Sequence, residues 1–234
     1  MEQISSSELQ ARIECVEHPE QNQLFEVFPE LELLKKIIEN NQWHKQESVY
    51  HHTLNIRKEM DAILELKFIE NKEVREKLQS YLERKFDVDG GFYTRRFLLK
   101  FATLVHDIGK IDTFIVEPEG ITSCPNHESV GIKKIPTIAK RFNMTEREIE
   151  YLVCLVGYHT QASVLSADSS SKNEVYMKEK VEIFKKNCNG CFIDLILLVF
   201  ADHISSYLAI ADPKKYKDIE EFLVDLVLEQ TQYL

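Results

Sequence analysis

The sequence has little glycine and proline, no long apolar run and no excess of positive charge. Its 234 residues include 7 Gly and 6 Pro, and because these residues interrupt helices most often, their scarcity favours long helices. The longest apolar run, 191–201, contains Asp194 and is shorter than the roughly 20 residues of a membrane span. The first eight residues have neither a basic region nor an apolar core. We therefore expect no secretory signal, no membrane partner and a cytoplasmic location.

The charge of the chain limits the partners that it can have. Acidic residues number 39 against 29 basic ones, and the net charge at pH 7 is -10. Non-specific binding of duplex nucleic acid needs a broad cationic surface, so we do not expect it. A small anionic substrate held by a few local groups is compatible with this charge. The composition does not give the oligomeric state.

Cysteine is scarce and irregularly spaced. The five cysteines are at positions 15, 124, 154, 188 and 191, and an odd number without an export signal is typical of reduced thiols in the cytoplasm. Cys188 and Cys191 form a lone CxxC motif. A zinc site would need two more ligands nearby, and a redox site would need a thioredoxin-like context, so we expect a loop with two thiols.

The stretch 97–110 combines an apolar helix with a polar end. Its apolar residues recur at steps of three and four, which predicts a buried helix. The helix ends at His106-Asp107, and we expect Gly109 to stop it in the left-handed conformation. An imidazole and a carboxylate would then lie in the core, where polar groups must be paired, hydrogen-bonded or bound to a metal. The alternative is a histidine at a helix end with a solvated aspartate beside it.

Most of the remaining sequence also has helical patterns. Helices are predicted over 29–39, over 48–70, from Thr145 onward and over 191–210. The strand pattern is confined to a small hairpin near 113–123. Another helix is predicted after His127, to about Arg141, and Pro136 inside it should kink or break it. Residues 162–171 should form a serine-rich loop. The expected fold class is all-α, a helical bundle with one small β-hairpin.

Six polar residues are expected to point into this bundle. The periodicity places His52 on an apolar face and His51 on a solvated one. Asp202 lies inside a strongly apolar helix and should need a cationic partner. A single buried histidine is more often a hydrogen-bonded core residue than a ligand, but six such residues would each need a separate explanation. The six are His52, His106, Asp107, His127, His159 and Asp202.

The order His, His-Asp, Asp resembles that of the HD-domain metal-dependent phosphohydrolases. The likeness is greatest to the HD domain attached to bacterial tRNA nucleotidyltransferases, the CCA-adding enzymes. It covers about 24–212, and the matching stretches are 27–31, 50–56, 105–110, 126–128, 152–159 and 201–202. The resemblance implies an HD-type domain over 24–234, an N-terminal helical extension over 1–23 and a charged insertion at about 67–95.

Two features of these relatives are missing from the sequence. Asp87 and Asp89 lack the Gly-Ser context and the strand of a nucleotidyltransferase, so nucleotide addition is not predicted. The Gly-Tyr-Pro signature of relatives that degrade cyclic dinucleotides is also absent. The resemblance therefore favours neither of these two activities.

The resemblance also implies a metal site. One divalent ion would be held by His52, His106, Asp107 and Asp202. His127 and His159 would hold a second ion, with Asp107 bridging, or would line the substrate phosphate. Nitrogen and oxygen donors suit Mn, Ni, Fe, Co, Zn or Mg and do not choose among them. One or two ions of undetermined type are expected.

The implied chemistry assigns roles to several of these residues. Asp107 and Lys110 would be catalytic, and Lys110, His127 and His159 would bind substrate. The cation would lower the pKa of a bound water and give hydroxide for attack on phosphorus. Lys110 could pair with a phosphate oxygen; the alternative is a surface lysine at a helix C-terminus. Structural or surface roles are expected for His18, His44 and His203.

The expected function follows from these implications. We expect a metal-dependent phosphohydrolase that cleaves phosphate mono- or diesters by attack of metal-bound hydroxide. Its substrates would be nucleotides or RNA ends, as in 2',3'-cyclic phosphodiesterases or nucleotidases. The alternative is a regulatory module on the HD fold that binds a metal or a nucleotide without turnover. The sequence does not give the substrate, the metal or the pathway.

Overall fold

A computed structural model describes residues 5–14, 24–168, 174–188 and 190–234. The fold is all-α, as predicted, and about 70% of the structure is helical. The first elements are α1 (Ser6–Glu14), α2 (Leu24–Val27), α3 (Pro29–Leu34), β1 (Ile38–Asn40), β2 (Lys45–Ser48), α4 (Val49–Leu64), α5 (Lys72–Glu83) and α6 (Arg95–Val105). They are followed by α7 (Lys110–Thr113), β3 (Ile115–Val116), β4 (Thr122–Ser123), α8 (His127–Lys140), α9 (Glu146–Asp168), α10 (Glu174–Asn187), α11 (Phe192–Ile204), α12 (Leu208–Ala211) and α13 (Pro213–Thr231).

The centre of the molecule is formed by α6 and α11. All residues of α6 from Phe97 to Val105 are buried, and so are all residues of α11 from Phe192 to Ala201. Both helices pack against α4 and α9. Such complete burial follows from the apolar composition of the two helices. They therefore carry the polar residues at their C-terminal ends into the interior.

Two charged side chains inside these central helices are neutralised by partners. Asp194 of α11 accepts hydrogen bonds from Arg95 Nη1 and from the Tyr81 hydroxyl, both at 2.6 Å. Lys100 of α6 pairs with Asp61 at 3.0 Å and with Glu14 of α1. Pairing with the opposite charge makes the burial of such groups tolerable. These two clusters stabilise the bundle away from the six predicted site residues.

No single helix in the described part of the chain has the length and apolarity to cross a membrane. The length and apolarity of a membrane span are reached only by two helical segments taken together, Val175–Asn187 and Phe192–Ile204. These two segments are bent by 113° relative to each other. The second of them is α11, which is buried in the protein core.

The small hairpin predicted near 113–123 is confirmed. β3 and β4 pair in antiparallel orientation, with Ile115 opposite Ser123 and Val116 opposite Thr122. A 3₁₀ turn over Pro118–Gly120 connects the two strands.

A second hairpin, β1–β2, is absent from the prediction. β1 and β2 are antiparallel, with Ile38 opposite Ser48, and the helix predicted over 29–39 ends at Leu34. Ile37 and Glu39 are buried, whereas Ile38 is exposed. This alternation fits a strand and not a helix. Glu39 is buried because it pairs with a residue far along the chain. A charged residue at a buried position hides the alternation of apolar and polar residues from which a strand would be predicted.

Two helices are more continuous than predicted. α8 runs through Pro136 without a break. α9 extends to Asp168 across most of the predicted serine-rich loop, of which residues 169–171 lie outside the described part. The hydroxyls of Ser163 and Ser166 donate to carbonyls four residues earlier, at 2.9 Å each. These bonds satisfy the serines within a helix.

The helix predicted from Thr145 onward is α9, and a capping box stabilises its start. Thr145 Oγ1 accepts from the backbone N–H of Glu148 at 3.2 Å, and the Glu148 carboxylate accepts from the backbone N–H of Thr145 at 2.9 Å. The same buried carboxylate accepts from the N–H groups of Phe92 and Tyr93. It therefore also fixes the loop that precedes α6.

The cysteines are only partly described by the structure. The sulfur atoms of Cys154 of α9 and Cys191 are in contact, but their Cα atoms are 7.4 Å apart, farther than in an ordinary disulfide. The expectation that the cysteines are reduced thiols therefore stays a prediction. Cys124 and Cys188 are free, and Cys15 lies outside the described residues. The two cysteines of the CxxC motif are both buried between α10 and α11, and one of them contacts Cys154.

The N-terminal extension and the charged insertion, which lie outside the matching stretches of the resemblance, both pack against the bundle. Leu9 and Ile13 of α1 are buried, and Arg57 Nη2 donates to the Ile13 carbonyl at 2.8 Å. In the charged insertion, α5 packs against α6 and α13. Residues 15–23 of the N-terminal extension lie outside the described part.

Candidate metal centre

The six polar residues predicted to point inward come together in the fold. They lie in the first turn of α4 (His52), at the end of α6 (His106 and Asp107), at the start of α8 (His127), in α9 (His159) and in α11 (Asp202). Five of them are buried and Asp202 is half-buried. All except His106 line one cavity of about 330 Å³. His51, by contrast, is exposed as predicted.

Asp107 is the central residue of this group. Its Oδ1 lies 3.3 Å from His127 Nε2 and 3.6 Å from His159 Nε2. Its Oδ2 lies 3.2 Å from His106 Nε2 and 2.8 Å from Lys110 Nζ. Each carboxylate oxygen therefore faces a different set of side chains.

His52 and Asp202 form the second half of the group. His52 Nε2 lies 3.0 Å from Asp202 Oδ1. One ligand atom from each of His52, His106 and Asp202 lies within 4.8 Å of the other two, and the same holds for His106, Asp107 and His159. His106 belongs to both sets, so the two sets are adjacent.

Backbone hydrogen bonds fix the orientation of three of the imidazoles. In each of them Nδ1 lies 2.8–2.9 Å from the carbonyl oxygen three residues earlier, that of Thr103, Cys124 or Val156. A carbonyl oxygen only accepts, so Nδ1 must carry the proton and donate it. In the neutral ring Nε2 then has a free lone pair. The three rings are those of His106, His127 and His159, and their Nε2 atoms all face Asp107.

In the neutral rings these lone pairs need a proton or a metal ion between them. His127 Nε2 and His159 Nε2 are only 3.2 Å apart, and the Thr160 hydroxyl, 3.5 and 3.3 Å away, can donate its one proton to only one of them. His106 Nε2 is buried and has no hydrogen-bond partner. Buried polar atoms without a partner are rare in folded proteins. The donor set and its unpaired nitrogens fit a divalent cation.

The two carboxylates are ionised at neutral pH. Burial works to raise the pKa of Asp107, but the charges of His106 and Lys110 outweigh burial and hold that pKa well below its usual range. The pKa of Asp202 is also lowered, because its hydrogen bond with His52 outweighs the effect of burial. Both groups are therefore in the form that binds cations.

The histidine pKa values shift in different directions. Burial lowers the pKa of His52. Burial acts the same way on His106 and His127, but the adjacent Asp107 carboxylate outweighs it and raises both pKa values. The protons that His106 and His127 retain therefore compete with a metal ion for the same nitrogens.

Lys110 is buried in a salt bridge with two carboxylates. Its Nζ lies 2.8 Å from Asp107 Oδ2 and 2.8 Å from Glu39 Oε2. The alternative of a surface lysine at a helix C-terminus is therefore wrong, because Lys110 is buried at the start of α7. Its charge holds Asp107 in place and offsets part of the negative charge of the site. The expected contact with substrate phosphate stays a prediction.

Gly109 has a different role from the predicted left-handed stop. Its φ is -72° and its ψ is -20°, in the right-handed region. A Cβ on this residue would lie 1.9 Å from the carbonyl oxygen of His127 and 2.7 Å from the backbone nitrogen of Gly131. Glycine is required because α8 packs directly on the backbone here, and this packing brings His127 to Asp107.

The β1–β2 hairpin adds residues to the site that the sequence analysis misses. Glu39 pairs with Lys110, and the His44 ring lies 4.3 Å from the His52 ring, centroid to centroid. Glu47 Oε2 lies 3.4 Å from His44 Nδ1. Asn41 Oδ1 accepts from the N–H groups of the two residues that follow Gln42. An asparagine-rich turn of this kind is the sequence feature that could have revealed the hairpin.

The rest of the cavity lining has a different character. Its wall includes the ring of Trp43 and the ammonium group of Lys215, which lies 5.4 Å from the ring centroid. The apolar residues of this wall are Val164, Ala167, Val199 and Ile219. His203 also borders the cavity, but its Nε2 donates to the Tyr216 carbonyl at 2.9 Å, in agreement with the structural role predicted for it.

Comparison with known proteins gives no family for this chain. No protein-family model matches the sequence, and no curated protein is significantly similar to it. The resemblance to HD-domain phosphohydrolases therefore stays a prediction based on the residues quoted above. The functional proposal depends on the chemistry of the site.

Proposed function

We propose that this chain is a metal-dependent phosphohydrolase with the HD-type arrangement of ligands. The observation that carries the proposal is the convergence of three imidazole Nε2 atoms, each with its proton fixed on Nδ1, on the ionised Asp107. A neutral imidazole nitrogen and a carboxylate are ordinary ligands of divalent metals. An arrangement with this many unprotonated donors is stable only with a cation or extra protons among them.

The residues fall into two groups around the proposed ions. His52, His106, Asp107 and Asp202 would hold one divalent ion. His127 and His159 would hold a second ion together with Asp107, or would receive the substrate phosphate. Lys110 keeps Asp107 ionised and oriented. A bound divalent cation would polarise a phosphoryl oxygen and lower the pKa of the attacking water.

The cavity supports a substrate of nucleotide size. Its volume of about 330 Å³ is at the lower end of the range for sites that bind small molecules. Trp43 offers an aromatic face, and Lys215 offers a positive charge beside it. Bases stack on aromatic rings regardless of their identity. These features support a mononucleotide phosphate more strongly than a long RNA end.

Metal analysis of protein purified without chelators tests the proposal. We expect one or two divalent ions per chain, and hydrolysis of phosphoesters in a panel of nucleotides with Mn²⁺, Ni²⁺, Co²⁺, Fe²⁺, Zn²⁺ or Mg²⁺. The Asp107→Ala variant should lose both the metal and the activity. Two ions per chain in the wild type and one in His127→Ala would support a second metal site at His127.

The same experiment separates the enzyme from its alternative. Metal binding without hydrolysis of any phosphoester would support a regulatory module on the HD fold. Absence of metal binding with every ion offered would refute the enzyme and the metal-binding form of the module, and would leave a module that binds a nucleotide. The matched control is His51→Ala, which removes the exposed imidazole beside His52 and should change neither metal content nor activity.

A further inference from the structure

His52 differs from the other imidazoles of the metal centre. The Nδ1 atoms of the other three rings donate to backbone carbonyls. His52 Nδ1 is buried and has no hydrogen-bond partner, while its Nε2 lies 3.0 Å from Asp202 Oδ1. Without a metal, the proton of this ring is best placed on Nε2, where Asp202 accepts it. The free lone pair is then on Nδ1, away from the site.

Metal binding requires the opposite arrangement of this ring. If Nε2 of His52 ligates an ion, as the proposed function requires, its lone pair must face the ion. The proton of the neutral ring must then lie on Nδ1. A buried N–H group without an acceptor is costly, so Nδ1 needs one.

Glu47 of β2 is placed to provide that acceptor. Its Oε2 lies 4.0 Å from His52 Nδ1 and 3.4 Å from His44 Nδ1, and its Oε1 accepts from Asn55 Nδ2 at 3.2 Å. The 4.0 Å separation is about 1 Å longer than a hydrogen bond. A rotation of the Glu47 carboxylate would close this gap. The Glu47 side chain is 23% exposed, and the His52 ring is 1% exposed, so the carboxylate is the more accessible of the two groups.

We propose that Glu47 is a positioning residue, which accepts the Nδ1–H of His52 when Nε2 of that ring binds the metal ion. The carboxylate would fix the ring and strengthen Nε2 as a ligand, as carboxylates commonly do for metal-bound histidines. The β1–β2 hairpin would therefore be part of the metal centre. This inference rests on the proposed function, because it concerns how the same ion is held.

The test compares metal affinity in variants of Glu47. Glu47→Ala and Glu47→Gln are titrated with Mn²⁺ and with Zn²⁺ in competition with a chelator of known affinity. We expect Glu47→Ala to bind about 10- to 100-fold more weakly than wild type. Glu47→Gln should weaken binding less, because its amide oxygen still accepts a hydrogen bond. The control is Glu65→Gln, at the exposed end of α4, which should bind like wild type.

A purely structural role for Glu47 predicts different results. In that case the variants lose thermal stability without metal, and Gln does not restore affinity. Nitrogen-15 NMR of the histidine rings gives a second measurement. We expect the proton of His52 to be on Nε2 in the metal-free protein and on Nδ1 in the Zn²⁺-loaded protein.

The outcomes also separate this inference from the function on which it rests. If wild type binds metal and Glu47→Ala binds it equally well, the role of Glu47 is refuted and the metal centre stands. A His52 proton that stays on Nε2 after Zn²⁺ is bound would refute it as well. If wild type binds no divalent ion, the metal centre and the role of Glu47 both fail.

Discussion

Single hydrogen bonds decide which face of each imidazole is available to a ligand. His106 illustrates the principle: its Nδ1 donates to the Thr103 carbonyl at 2.9 Å, so that Nε2 is left free beside Asp107. A helix of any sequence has a backbone carbonyl three residues before a given side chain. A histidine near the end of a buried helix can therefore be oriented by its own helix, without a dedicated partner.

The raised pKa values of His106 and His127 predict how metal binding depends on pH. A histidine whose pKa is raised by folding stabilises the metal-free fold at pH values below its pKa in the unfolded chain. This stabilisation is lost as pH rises through its pKa in the folded protein. Metal binding needs the same nitrogens without protons. The increase in Tm on adding Mn²⁺ should therefore grow between about pH 6 and pH 8, the range around the usual histidine pKa.

Thermal unfolding with and without Mn²⁺ at several pH values measures this effect. His51→Ala, in which an exposed imidazole is removed, should show the same dependence as wild type. An increase in Tm that is constant or becomes smaller as pH rises would contradict the competition between protons and metal.

Replacing Lys110 tests the buried salt bridge. Lys110→Met leaves Glu39 and Asp107 buried without their cation. Removing one partner of a buried pair typically costs about 3–5 kcal/mol in the free energy of unfolding. The loss should be smaller in the metal-loaded protein, because the ion would replace part of the missing charge near Asp107.

Urea unfolding of the Lys110 variant, with and without Mn²⁺, measures the loss in free energy of unfolding for the metal-loaded and the metal-free protein. Lys45→Met, which changes an exposed lysine of β2, is the control and should stay within about 0.5 kcal/mol of wild type. Equal losses in the two states would show that the ion does not compensate for Lys110.

At the scale of elements, the two aspartates of α11 show why a helix pattern cannot identify a site. Asp194 and Asp202 both interrupt one apolar helix. Asp194 pairs with Arg95 and Tyr81 in the core, whereas Asp202 faces His52 in the cavity. The partners come from different helices. The sequence indicates that each carboxylate needs a partner, and only the packing decides which partner it has.

The contact between α7 and α8 makes Gly109 a sensitive position. Gly109→Ala places a methyl group 1.9 Å from the His127 carbonyl oxygen, so α8 must move away from Asp107. Overpacking of this kind costs about 1–3 kcal/mol. We expect lower stability in urea and a lower metal content, because His127 moves with the start of α8.

Gly90→Ala is the control for this substitution. A Cβ at Gly90 would meet only Asp87 Oδ2, at 4.0 Å, so stability and metal content should stay close to those of wild type. If Gly109→Ala behaves like Gly90→Ala, the close approach of α7 and α8 does not position His127.

At the scale of the whole molecule, the cavity joins residues that are far apart in the chain. His52 and Asp202, 150 positions apart, are in contact, and Trp43 lines the same cavity. The chain contains one Trp. Its fluorescence therefore reports on this cavity alone, which gives a direct measure of ligand binding.

We expect the emission of Trp43 to change when AMP binds the metal-loaded protein. A base that stacks on the ring should alter the signal more than ribose 5-phosphate, which has the phosphate without the base. Lys215→Gln should weaken binding of AMP several-fold, because the neighbouring positive charge is lost. Identical titrations with the two ligands would show that the cavity does not recognise the base. Glu229→Gln, in the last turn of α13, is the control.

Sequence patterns predict much of the fold and the set of inward polar residues. Apolar periodicity is strong in α6 and α11, so their burial and the hairpin at 115–123 could be read from local residues. The predictions fail where distant contacts determine local structure. β1 contains a glutamate buried by Lys110, and Gly109 is required by the backbone of α8.

By itself, the sequence determined that the protein is helical and that six imidazole and carboxylate groups belong inside it, because helical periodicity is a local property of neighbouring residues. The tertiary structure alone decided which atoms meet. It set the protons of three imidazoles on Nδ1, turned Lys110 inward to Glu39, and brought Trp43 and Glu47 to the site on the β1–β2 hairpin. These features depend on packing between elements distant in the chain, which no local pattern records.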